Sequence, residues 1–175
     1  MRKIIYNFIN QRLNYFKIFA DVAKYRKQQT QHSEQFKTER WFQTELLVHL
    51  WSKGYKVIPE YGNCRWDLYV HSSPESSSKY YFALNCLSNS AQNASRDYKN
   101  VKEDIDTVIN QDLTQGEAYV ILILPYAGKY TSAMLTRIKS HENKQILSID
   151  DQNDLLFPGE EQDGVKFVLI KKISE

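Results

Sequence analysis

The chain has 175 residues, 42% hydrophobic and 25% charged, the proportions of one globular domain whose core needs no disulfide or metal staple. Its 23 basic and 21 acidic side chains leave a net charge of +2, and no run of about 18 apolar residues exists, which argues against a transmembrane helix. The near-neutral total hides an uneven spread. Residues 1–40 carry nine basic and three acidic groups, net +6, whereas residues 101–164 carry five and twelve, net −7. Such asymmetry points to a polyanion or an acidic partner near one end, or to a solvated basic helix face. Met1-Arg2-Lys3 and the isoleucines after it start like an export signal, but Asn7, Asn10, Gln11 and Arg12 interrupt the apolar stretch, so a cytoplasmic setting is expected. Cys64 and Cys86 lack zinc-type spacing and fit a reducing compartment.

In chain order, Ile5, Phe8, Ile9, Leu13, Phe16, Phe19, Ala20 and Ala23 recur at three- and four-residue steps and predict an amphipathic helix over 3–28. This basic helix forms an N-terminal unit over residues 1–32, ahead of an α/β domain over 33–175. Its apolar face packs on its own sheet or on a second copy of the chain. A second helix is predicted from about Ser33 to Lys53, stopped by Gly54. The period then changes to that of strands. Residues 55–61, 66–70 and 80–87 predict an antiparallel meander, with Pro59 marking an edge. A helix capped by Ser95 or Asp97 runs to about Gln111, and the β-branched run Ala118–Leu124 predicts a buried strand. A helix over 131–140, a short strand over 145–149, an acidic loop from Asp150 to Gly164 and a last strand over 165–173 complete an α/β layered domain.

Three stretches bear on chemistry. Glu39-Arg40-Trp41-Phe42-Gln43-Thr44-Glu45-Leu46 opens a helix with acidic residues, Arg65-Trp66-Asp67-Leu68-Tyr69-Val70 places an aspartate on the second strand, and Phe82-Ala83-Leu84-Asn85-Cys86-Leu87 places a polar residue on the third. Over roughly Glu39 to Tyr130 the chain resembles the PD-(D/E)XK nucleases, the restriction-endonuclease-like fold. The resemblance implies a mixed central sheet flanked by helices, here with an N-terminal helical extension. In that family, Asp and Glu hold magnesium, which activates water, and Lys positions it. The resemblance maps those three positions onto Asp67, Asn85 and Leu87. Only Asp67 keeps a charge, and it is the expected metal ligand if any ion binds. Residues 85 and 87 share one face of a strand, because side chains alternate. An Asn carbonyl is a weaker ligand than a carboxylate, and Leu does nothing for water or phosphate.

The resemblance therefore implies a catalytically inactive nuclease-like protein, without a cofactor, that acts by binding nucleic acid or a protein partner. Bacterial or phage defence and conflict systems are the expected setting. Arg12, Lys17, Lys24, Arg26 and Lys27 of the first helix would meet phosphates. Two alternatives stand beside this expectation. An immunity or inhibitor protein would use the acidic block to mask a basic site. An active magnesium-dependent DNA endonuclease would recruit Glu45 or Glu39 as a second carboxylate, and Lys99, Lys102 or Arg65 in place of the lysine. Glu45 and His49, four residues apart, share a helix face and form a further candidate pair. No phosphate-binding loop, dinucleotide loop or nucleophile elbow is present.

Overall fold

Side chains that alternate along a strand present two faces, and in this chain both faces are apolar, so both require cover. The computed structural model describes residues 1–17, 38–61, 66–72, 78–86, 94–110, 116–125, 130–157, 159, 161 and 164–173. Its elements are α1 (Arg2–Gln11), α2 (Thr38–Ser52), β1 (Lys56–Tyr61), β2 (Trp66–Ser72), β3 (Lys79–Cys86), α3 (Ala94–Asn110), β4 (Gly116–Pro125), α4 (Thr131–Lys139), a 3-10 turn (Lys144–Ile146), β5 (Leu147–Leu156) and β6 (Gly164–Lys172). The six strands form one mixed sheet in the order β1-β2-β3-β4-β6-β5. The first three are an antiparallel meander, β4 runs parallel to β3, and β6 is antiparallel to both its neighbours.

One face carries Leu68, Val70, Phe82, Leu84, Ile121, Ile123 and Phe167, packed with Phe42, Leu46 and Leu50 of α2 and Ile5, Phe8 and Ile9 of α1. The opposite face carries Ala83, Ala118, Val120, Leu122, Val168 and Ile170, packed with Val101, Ile105 and Val108 of α3 and Met134 and Ile138 of α4. The result is a helix–sheet–helix sandwich, with α1 sharing a core with α2 and the sheet. Each fully buried side chain of this kind contributes roughly 1.5–3 kcal/mol relative to exposure.

The first helix is interrupted at Arg12, which leaves α-helical geometry (φ −106°, ψ 7°). Its N–H tightens onto the Ile9 carbonyl at 2.9 Å, and residues 13–17 are helical again. The rest of the expected 3–28 helix, and residues 33–37 of the second, lie outside the described residues. Gly54, at φ 84°, ends α2 in a Schellman turn: Tyr55 N–H bonds the Leu50 carbonyl at 3.1 Å and Gly54 N–H bonds the Trp51 carbonyl at 2.9 Å.

Two expectations are corrected. The third helix begins at Ala94, so Ser95 and Asp97 lie within its first turn rather than at its cap. The acidic stretch after Ile149 is not all loop, because β5 continues to Leu156 and pairs with β6 as far as Leu156↔Gly164. Its charges are cancelled from outside the strand. Arg2 pairs with Asp150, Lys139 meets Asp151 at 2.6 Å, and Lys166 pairs with Asp154. The buried Leu155 then anchors the segment to the core.

Candidate functional site

The site arises where two strands part company. Among the described residues, β2 and β3 pair through Leu68↔Phe82, Tyr69↔Tyr81 and Val70↔Tyr80, while β3 runs on to Cys86 alongside β4. Beyond Phe82 the β3 edge facing β2 has N–H groups with no ladder partner among the described residues, and such groups require an acceptor. Two carboxylates supply it. Asp67 Oδ2 accepts the Leu84 N–H at 2.7 Å, and Glu39 Oε2 accepts the Cys86 N–H in a longer contact of 3.4 Å. The two donors are two residues apart, so they point the same way along the edge.

Gln43 ties the helix to the strand. Four residues after Glu39 and therefore on the same helical face, it is buried, and its amide donates to the Asp67 main-chain carbonyl at 2.8 Å. Across β1 the register Pro59↔Leu68 and Tyr61↔Trp66 places Glu60 opposite Asp67. Glu60 has φ 51°, the left-handed region, and pairs with Arg40 of α2. A non-glycine residue there carries strain of about 1–3 kcal/mol, which is met most often at functional sites. On the far side of the split, Asn85 is buried and its amide donates to Asp104 Oδ2 of α3 at 2.6 Å.

Electrostatics set these groups apart. Burial pushes the Glu39 carboxyl above its ordinary range, and the Asp67 charge pushes it further. Burial also raises Asp67, against the opposing Leu84 N–H bond and the nearby Arg40 charge. The Cys86 thiol is held well above its usual value by burial and by both carboxylates, so it is a packed thiol rather than a nucleophile. Asp67 and Glu39 thus form a half-buried acidic pair with Asp104 and Glu60 nearby.

The residues expected from sequence divide. Asp67, Asn85 and Glu39 come together. Leu87 and Arg65 lie outside the described residues, as do Lys24, Arg26 and Lys27. Counting one step on from Leu68↔Phe82 places Asp67 beside Ala83 on β3, so the face shared with Asp67 continues through Ala83 and Asn85. Neither that register nor the Asn85/Leu87 one offers a carboxylate or a lysine. Glu45 is not at the site: it binds Arg12 at 3.1 Å, and Arg12 also lies over the Phe8 ring at 5.5 Å and the Tyr15 ring at 5.8 Å. His49 packs on Phe8, with ring centroids 4.9 Å apart. Burial lowers its pKa first, then the Lys53 and Arg12 charges. Lys17 is half-buried and partnered. Lys99 reaches Glu103 at 3.8 Å, and Lys102 reaches Asp106 at 3.1 Å and Glu142 at 3.7 Å, so both are engaged on α3.

Asp104 and Glu60 escaped the sequence reading. A signal existed for Asp104, since it stands beside Ile105 within the apolar stripe Val101, Ile105, Val108. Glu60 is revealed only by strand register.

A second acidic cluster, Asp106, His141 and Glu142, brings three ligand-type atoms within 4.8 Å of one another. Its carboxylates already share the Lys102 ammonium. His141 Nδ1 accepts the Asn143 N–H at 3.2 Å, which leaves Nε2 as the ring atom that faces the cluster. Nε2 is buried and faces Asp106 Oδ1 at 3.2 Å without hydrogen-bond alignment. The cluster ties α3 to the end of α4.

No family model matches the chain, and no curated protein or solved structure matches it.

Proposed function

We propose that this is a nuclease-like protein of the restriction-endonuclease-like architecture that binds nucleic acid without cutting it. The observation that carries the reading is the composition of the split between β2 and β3. Its carboxylates, Asp67 and Glu39, are turned onto β3 backbone N–H groups, and its polar residue on β3 is Asn85, whose amide is committed to Asp104. Phosphodiester hydrolysis in the family that the chain resembles uses a second strand carboxylate and a lysine, and Asn85 and its neighbours supply neither. The element order also supports it: a helix bearing Glu39, an antiparallel meander with Asp67 on its middle strand, a helix, then a strand parallel to the third.

Nucleic acid is preferred to protein as partner on charge. The described acids of the −7 block are largely taken up by lysines and arginines, among them Asp150, Asp151, Asp154, Glu117 and Asp106. The block is therefore poor at mimicking a polyanion, whereas residues 1–40 are net +6 by composition even though Arg2, Arg12 and Arg40 are themselves paired with Asp150, Glu45 and Glu60.

One observation favours a second reading, an active metal-dependent nuclease. The pKa-raised Glu39 and Asp67 lie together with Asp104 in range of Glu39. Incubation of a labelled oligonucleotide with magnesium or manganese separates the two. Binding with the strand left intact supports the proposal, and cleavage abolished by Asp67→Ala supports the second reading. Asn85→Glu combined with Leu87→Lys is the reciprocal test, expected to create a metal-responsive site in the folded protein.

A further inference from the structure

The end of α2 carries an aromatic residue that the core does not use. The inward positions Phe42, Leu46 and Leu50 are buried, whereas Val48 and Trp51, three residues apart on the outer face, are 53% and 71% exposed. Trp66 by contrast is 2% exposed, and Trp41 packs against the core. An indole this open adds little burial to the folded chain, and its flat face is available to a ligand. The Schellman turn at Gly54 follows at once and fixes what stands beside it.

Two exposed lysines flank that turn: Lys53 just before Gly54, and Lys56 at the start of β1. Neither has an ion pair among the described residues, unlike Lys99, Lys102, Lys139, Lys166 and Lys171. The nearest acids along the chain are already used, Glu45 by Arg12 and Glu60 by Arg40.

We propose that the junction of α2 and β1 is a stacking platform for single-stranded nucleic acid, with Trp51 receiving a base and Lys53 and Lys56 meeting the adjoining phosphates. The proposal rests on the nucleic-acid reading above and adds the form of nucleic acid and its contacts. A flat π-face close in the chain to two lysines with no ion pair among the described residues matches a ligand that alternates π-faces and anions, and only an unpaired base leaves its face free to stack. A duplex would use the lysines alone, and so would an acidic polypeptide.

The test is a titration of the full chain with a thymidine homopolymer, read by tryptophan emission and by anisotropy of a labelled strand. Emission should be quenched, since Trp51 is the most open of the tryptophans described. Trp51→Ala should abolish most of the quenching and weaken binding about tenfold, the scale of one base–aromatic stack. Trp51→Phe should recover much of the affinity. Lys53→Ala and Lys56→Ala should each lower the slope of log K against log salt by about 0.7 while leaving the quenching in place. All three positions are exposed, so the variants should remain folded. Equal binding by wild type and Trp51→Ala overturns the platform but leaves the nucleic-acid reading intact. Tighter binding of a duplex without quenching, or equal quenching by polyglutamate, also overturns the platform. If wild type binds no oligonucleotide under any of these conditions, both the platform and the parent reading fail.

Discussion

Asp67 and Glu39 are charged groups held by backbone amides in a half-buried place, and that arrangement has a pH signature. Both carboxyls are raised in the folded state, first by burial. The fold therefore binds their protons more tightly than the unfolded chain does. The stability they contribute is fully present below the ordinary carboxylate range and is lost as pH rises through their folded values. Glu39→Gln keeps an oxygen for the Cys86 N–H and removes one charge. It should raise the melting temperature at neutral pH and flatten the decline between acid and neutral pH in a thermal-unfolding series. An unchanged profile would mean that Glu39 carries no buried charge. Gln43 makes a prediction of the other sign. Gln43→Ala leaves the Asp67 carbonyl without its donor and should cost about 1–3 kcal/mol in urea denaturation. At this scale the sequence was half legible. Asp67 stood out as an acid at the head of an apolar strand, and Asn85 as an amide inside one. Asp104 and Glu60 join them only because a helix face and a strand register bring them there.

The elements were more legible than the site, because periodicity reports which face is covered without saying by what. The change from three- and four-residue spacing to alternation at Gly54 marks the boundary of α2 and β1, and the run Ala118–Leu124 reads as a strand covered on both sides. β5 was foreshortened in the sequence reading because Asp150, Asp151 and Asp154 look like loop residues until their partners are known. Those partners come from α1, α4 and β6. α1 is bound into the same core, with Phe8 fully buried against Phe42 at a centroid separation of 5.8 Å. Phe8→Ala should cost about 3–5 kcal/mol, measured by urea unfolding. A loss below 1 kcal/mol would show that α1 is only loosely docked.

For the molecule as a whole, the charge asymmetry of the sequence changes meaning on folding. The acidic block and the basic residues elsewhere meet in pairs such as Arg2–Asp150, Lys166–Asp154 and Lys171–Glu117. These pairs are partly buried, and salt screens such pairs much less than exposed ones, so added salt should change stability little. Binding to nucleic acid should respond steeply, falling more than about tenfold between roughly 50 and 200 mM salt if several phosphates are neutralised. The contrast separates charges spent inside the fold from charges left for a partner. The most direct measurement combines both halves of the central claim in one sample: an end-labelled single strand titrated with protein in the presence of manganese, scored for retention on a native gel and for length on a denaturing one. Retention at low salt with a full-length strand is the expected result. A shortened strand, or no retention at any protein concentration, would contradict it.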